Sequence, residues 1–147
     1  MAITLVLADD YSIVREGLKA LLEKNTDINI VGEAEDGLSV VQVTTEKHPD
    51  IVIMDIRMPG LNGIDAIKPI LDVHPETEVI ILSMHKEEKF IRDAFLAGAK
   101  GYLLKDNLFD ELLPAIYAVN NGQCFLSQQL SQDVVDPILN NAPLEIH

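Results

Sequence analysis

Cysteine, basic side chains and long apolar runs are all scarce in this sequence. Cys124 stands alone, so no internal disulfide can form. The N-terminus also lacks the basic segment, apolar stretch and cleavage site of an export signal, and a reducing, cytoplasmic setting is the expectation. No apolar run approaches the roughly 20 residues of a membrane-spanning helix, so no membrane partner is expected. Lys and Arg number 11 against 24 Asp and Glu, a formal charge of −13. Phosphate backbones repel such a surface, because protein affinity for them comes largely from Lys and Arg, and direct DNA binding by this chain alone is not expected. No internal repeat or low-complexity tract is present. What is present, 48 % apolar and 24 % charged residues, is an ordinary globular composition. A chain of 147 residues can bury about 68–70 % of its unfolded surface and needs no disulfide or metal staple.

Five short apolar runs divide the chain: Ile3 to Ala8, Ile28 to Val31, Ile51 to Met54, Val79 to Leu82 and Tyr102 to Leu104. Their starts are 25, 23, 28 and 23 residues apart. The first, third and fourth lack polar alternation, as strands buried on both faces of a parallel sheet do, and the spacing leaves room for the helix that each parallel crossover requires. Ile13, Val14, Gly17, Leu18, Leu21 and Leu22 recur on one face of a first helix, with Ser12 as its expected cap. Phe90, Ile91, Ala94 and Phe95 repeat that spacing within Lys86 to Ala97, and Gly98 is the expected stop. Leu38 to Lys47 is helical by its place in the alternation. Ile64, Ile67 and Leu71 mark another helix, and Leu112, Leu113, Ile116 and Tyr117 a fifth. Pro69 and Pro114 fall inside two of these and predict local kinks, not loss of the helices. After Gly122 no sixth strand is evident. Leu130, Val134, Val135, Ile138 and Leu139 predict an extra amphipathic helix capped by Ser127 and interrupted by Pro137.

The residues at the run ends carry the chemistry. Asp9 and Asp10 follow the first run, Asp55 the third, Ser83 the fourth and Lys105 the fifth. In open α/β sheets ligands bind beyond the carboxyl ends of the strands, and a doubly wound parallel sheet ordered 2-1-3-4-5 gathers these side chains at one cleft. Three neighbouring carboxylates repel one another, a conflict that a divalent cation resolves. Oxygen-only ligands favour a hard ion, with Mg²⁺ the leading candidate, and no Cys and His pairing suits zinc. A cation, Lys105 and the Ser83 hydroxyl facing one point suit a phosphoryl group, whose transfer depends on positioning and electrostatic stabilisation. Asp55 is then the natural nucleophile.

Leu-Ala-Asp9-Asp10, Asp55-Ile-Arg-Met-Pro-Gly60-Leu-Asn-Gly63, Leu-Ser83-Met-His and Gly101-Tyr102-Leu-Leu-Lys105-Asp106 together resemble a response-regulator receiver domain of two-component signalling, over about residues 3–121. The last two segments resemble the NarL/FixJ type, whose members commonly carry a LuxR-type helix-turn-helix output domain. The resemblance implies a flavodoxin-like receiver fold over 1–121. It also implies a linker or extra amphipathic helix over 122–147, with the output domain absent from this chain, either because the chain is a piece of a longer regulator, the favoured expectation, or because it is a stand-alone receiver. Asp55 is implied as phosphoacceptor, and Asp10, Asp55 and the Arg57 backbone carbonyl as the Mg²⁺ site, with Asp9 acting on the ion directly or through water. Ser83 is implied as a contact to a phosphoryl oxygen, Lys105 as the partner of the phosphorylated carboxylate, and Tyr102 as a switch aromatic that moves inward with Ser83. The implied partners are a sensor histidine kinase, a possible second copy of the chain, and DNA only through the missing output domain. The implied switching surface is helix four, strand five and helix five, about Lys86 to Asn121. Such a domain is not an enzyme on external substrates and assists only its own phosphorylation and dephosphorylation. Two departures stand out: Asp106 where proline is common, so a cis bond is not expected there, and Met84 where smaller residues are frequent, which narrows the cleft.

A dehalogenase-like Mg²⁺-dependent phosphatase shares the aspartyl nucleophile, hydroxyl and lysine, but requires an acid two residues beyond the nucleophile, where this chain has Arg57. A flavodoxin-like cofactor binder is disfavoured by Asp9-Asp10-Tyr11-Ser12 in place of a phosphate cradle. His85 and Arg57 flank the cleft at positions that tune phosphoryl lifetime in the resembled family. His48 and His74, each before a proline, read as structural, Cys124 as an inert thiol, and Glu33, Glu35 and Asp36 as solvated surface beside an edge strand.

Overall fold

A computed structural model describes residues 2–130 of the protein. Strands β1 (Ile3–Ala8), β2 (Ile28–Ala34), β3 (Ile51–Asp55), β4 (Glu78–Ser83) and β5 (Gly101–Leu104) alternate with helices α1 (Ser12–Leu22), α2 (Gly37–Lys47), α3 (Gly63–Val73), α4 (Glu88–Ala97) and α5 (Leu108–Asn120). All pairings are parallel, and the order 2-1-3-4-5 is the expected one. The sheet nevertheless extends one strand further. Phe125–Leu126 forms β6 against β5, the Phe125 amide donating to the Lys100 carbonyl and the Ser127 amide to the Tyr102 carbonyl. Two residues are too few for any periodicity to show, which is why this strand escapes the sequence pattern.

Alternation along the strands divides the core into two layers. Leu5, Leu7, Ile51, Ile53, Ile80, Leu82 and Leu103 face α1 and α5 through Leu18, Leu22, Leu112, Ile116 and Val119. Val6, Val52, Met54, Val79, Ile81 and Tyr102 face α2, α3 and α4 through Val40, Ala66, Ile67, Ile70, Ile91 and Phe95. β3 is buried along its whole length because it is central and covered on both sides.

Several local expectations need correction. The inward face of α1 is not the full apolar set: Ile13 is 79 % exposed and Gly17 is exposed, whereas Arg15 is buried because side chain and carbonyl partners meet it there. Ser12 does not cap α1. Tyr11 holds that position without a side-chain bond, and the Asp9 carboxylate instead takes the Tyr11 amide at 2.9 Å. Ser127 turns its hydroxyl to Glu111, donating at 2.6 Å, and accepts the Leu104 amide at 2.8 Å, so it is engaged by the sheet edge and α5. The helix expected over Leu130 to Leu139 falls beyond the described residues save Leu130, as does most of the 122–147 segment. Gly98 does end α4, in the left-handed region at φ 119°. Both proline-bearing helices are continuous. The carbonyls that Pro69 and Pro114 leave unpartnered belong to exposed Asp65 and Asp110, where water can take over.

Candidate functional site

Strand register brings the five polar residues to one end of the sheet. β1 stops at Ala8, level with Met54. Asp55 is level with Leu82, and Ser83 with Leu104. Asp9, Asp55, Ser83 and Lys105 therefore lie within one residue of the ends of four adjacent strands. Asp55 and Ser83 are the last strand residues themselves, one place earlier than the apolar runs imply. Asp9, Asp10 and Asp55 each offer a carboxylate oxygen within 4.8 Å of the others; Asp9 and Asp55 are buried and Asp10 is exposed. The Lys105 ammonium donates to Asp55 Oδ2 at 2.9 Å and to Asp9 Oδ2 at 3.2 Å, whereas Asp55 Oδ1 accepts the Arg57 amide at 3.3 Å. Asp10, Tyr11, Asp55, Arg57, Met84, His85 and Lys105 line a cavity of about 410 Å³ above this cluster. Met84 stands at its rim, 63 % exposed.

Burial pushes the Asp55 carboxyl above its ordinary value; Lys105 pulls the other way, but Asp9 adds repulsion. The same burial opposes the charge on Lys105, yet its two carboxylate partners outweigh it and hold its pKa above normal. Three acids with one ammonium leave an uncompensated negative site that favours a hard cation. The donor set fits Mg²⁺: oxygen atoms only, two carboxylates held in place and one exposed for approach.

Ser83 is fully buried, its oxygen accepting the His85 amide at 2.9 Å. Tyr102 is fully buried as well, and its hydroxyl donates to the His85 carbonyl at 2.9 Å. This is the inward position. Burial raises the Tyr102 hydroxyl to about 12, which keeps it a donor. Arg57 crosses the mouth to donate to His85 Nε2 at 3.3 Å, and the His85 ring lies against Phe90 with centroids 4.3 Å apart.

Among the other singled-out residues, His48 and His74 stack at the opposite end of the sheet, rings 4.6 Å apart, and the Cys124 thiol is half-buried and free. Asp36 caps α2 through the Ser39 amide. Glu33 is not merely solvated: Arg15 and Lys19 hold it at 2.9 and 2.6 Å. Two groups near the site escape the sequence pattern, Arg15 and the Glu111–Ser127 pair. A lone arginine on an otherwise apolar face was the available signal for the first; the second links residues 16 apart, with no spacing that marks it.

A parallel sheet of this order with an acid cluster and a lysine at its carboxyl end defines a receiver-type domain. The chain belongs to the response regulator receiver domain family, whose pattern matches residues 5–117. It is 40 % identical over 121 residues to the uncharacterized transcriptional regulatory protein YxjL of Bacillus subtilis (strain 168), covering 82 % of this chain and 56 % of that protein. It therefore spans little more than half the length of that relative. Among solved structures, a LuxR-family two-component response regulator from Aurantimonas sp. SI85-9A1 superposes with TM-score 0.83 at 34 % identity, covering 96 % of this chain and 98 % of that one. The signal receiver domain of the putative response regulator NarL from Mycobacterium tuberculosis does so with TM-score 0.79 at 31 % identity, covering 83 % and 98 %. Among the described residues no helix is long and apolar enough to cross a membrane.

Proposed function

We propose that this receiver domain accepts a phosphoryl group from a sensor histidine kinase on Asp55 and thereby controls an output domain in a longer parent protein. The observation that carries this reading is the Lys105 ammonium 2.9 Å from Asp55 Oδ2, inside a cluster of three carboxylates. An Asp55 carboxylate oxygen forms a bond to phosphorus as the phosphohistidine N–P bond breaks. The electron pair of that bond stays on the imidazole, which takes up a proton. Lys105 neutralises charge on the modified carboxylate, and the Ser83 hydroxyl turns from the His85 amide to a phosphoryl oxygen. Asp9, Asp10, Asp55 and the Arg57 carbonyl are the groups that would hold Mg²⁺. When bound, Mg²⁺ supplies neutralising charge and polarises phosphoryl oxygen. No carboxylate stands two residues beyond Asp55, where Arg57 reaches His85 instead, so this chain assists its own phosphorylation and dephosphorylation only.

The inward Tyr102 and the buried Ser83 both hydrogen-bond the His85 backbone, so a turn of Ser83 pulls on the residue that Tyr102 holds. That coupling supports α4, β5 and α5 as the switching surface, available to a second copy of the chain. The naming of the Bacillus relative as a transcriptional regulatory protein supports DNA binding through an output domain outside this chain. Intact-mass measurement after incubation with acetyl phosphate and Mg²⁺ tests the reading. One added phosphoryl group is expected, absent from Asp55→Ala; unchanged uptake in that variant refutes it.

A further inference from the structure

Arg15 is a buried cation, 8 % exposed, and burying a guanidinium is costly unless its donors are met. They are met in two directions. Its Nε donates to Glu33 on β2 at 2.9 Å, and a second nitrogen lies 3.7 Å from Glu35. Its Nη1 reaches back across the first turn to donate to the backbone carbonyl of Asp9. Tying α1 to β2 does not require this last contact, because Lys19 already bridges to Glu33 at 2.6 Å. The contact acts on the turn.

Asp9 is held from every side. Its amide donates to the Ala34 carbonyl at 3.1 Å, and its carboxylate takes the Tyr11 amide and the Lys105 ammonium. Asp10, beside it, is exposed, so the direction of its backbone bears directly on where its carboxylate can reach. The carbonyl oxygen of Asp9 and the amide of Asp10 share one rigid peptide plane. A donor fixed on that oxygen fixes the plane, and with it the direction in which Asp10 leaves the chain.

We propose that Arg15 is a positioning residue for the acid cluster, locking the Asp9–Asp10 peptide plane so that the Asp10 carboxylate faces the cation. The proposal rests on the reading of Asp9, Asp10 and Asp55 as a divalent-cation site. The rigid guanidinium fork holds its donors to Glu33 and to the Asp9 carbonyl in one fixed geometry, which the flexible point charge of a lysine does not reproduce.

Calorimetric titration of Mg²⁺ into the full chain, beside acetyl phosphate uptake measured against Mg²⁺ concentration, tests it. Arg15→Met weakens Mg²⁺ binding about tenfold, the scale on which outer partners of metal ligands act, and its phosphorylation rate recovers at saturating Mg²⁺. Arg15→Lys, which retains the charge beside Glu33, weakens binding in the same direction and decides the matter if Arg15→Met does not fold. Wild-type Mg²⁺ affinity in a folded Arg15 variant overturns the proposal, as does a rate lost equally at all Mg²⁺ concentrations. A wild-type chain that takes no Mg²⁺, or an Asp10→Asn variant that binds as tightly as wild type, instead overturns the cation reading beneath it.

Discussion

Replacing Gly63 by alanine probes the link between packing and site directly. Gly63 is the first residue of α3, and its amide donates to the Ile56 carbonyl at 2.8 Å. An added Cβ would stand 2.1 Å from the backbone oxygen of Asp55, 2.9 Å from its carbonyl carbon and 3.0 Å from Ile56 Cα. Comfortable non-bonded contacts lie near about 3.5 Å, so the two segments must part by more than about 1 Å. Overpacking costs about 1–3 kcal/mol. Every obstructing atom here is backbone, with no side-chain tip to swing aside, which places Gly63→Ala at the upper end, about 3 kcal/mol. With a urea slope of about 2 kcal/mol/M, the unfolding midpoint falls by about 1.5 M. The moved carbonyl belongs to the proposed phosphoacceptor, and a misplacement of about 1 Å can cost about 100-fold in rate. Urea unfolding followed by circular dichroism reads the first effect, and phosphoryl uptake by intact mass the second. A variant within about 0.5 kcal/mol of wild type, the scale of a neutral surface change, that also takes up phosphate at the wild-type rate would refute the reasoning.

Gly17→Ala makes the opposite change. Nothing lies within 4 Å of its added Cβ, the position is exposed and helical, and a gain of about 0.5–1 kcal/mol is expected in the same urea experiment. Glu111→Ala leaves the Ser127 hydroxyl and Gln128 amide without their carboxylate acceptor. A loss of about 3 kcal/mol is expected from two bonds to a charged group, with faster hydrogen exchange at Phe125 and Ser127 than along β4; unchanged exchange there contradicts the docking of β6. Glu33 is held below its ordinary value of 4.5, chiefly by the Lys19 ammonium, with burial opposing and Arg15 assisting. A carboxyl lowered on folding contributes stability above that pH and loses it as pH falls through the folded value. The advantage of wild type over Glu33→Gln, measured by urea unfolding across pH, therefore shrinks on acidification below 4.5; an advantage that grew would contradict the ion pairs.

The sheet and its order were legible because burial on both faces writes an unbroken apolar run, as in Ile51 to Met54. β2 outruns its apolar stretch, continuing past Val31 to Ala34, because an edge strand carries polar residues such as Glu33 within its span. The face of α1 departs from its apolar pattern, Ile13 and Gly17 lying outward and Arg15 inward, because periodicity ranks side chains by polarity alone, whereas a guanidinium whose donors are met can occupy the buried side. The site was legible because strand ends are fixed by the chain itself, so Asp9, one residue past β1, and Asp55, the last residue of the neighbouring β3, must meet. Glu111 and Ser127 were not, since their pairing depends on how α5 and the following turn return to the sheet.

The central claim is that Asp9, Asp10, Asp55 and Lys105 form one phosphoryl-accepting centre. A crystal structure grown with Mg²⁺ and beryllofluoride tests it most directly, the anion standing in for an aspartyl phosphate. The account predicts beryllium bonded to Asp55, with fluorine atoms facing Lys105 and Ser83 and the metal on Asp10 and Asp55, Tyr102 remaining buried. Beryllofluoride on another residue, or a metal away from these acids, would contradict it.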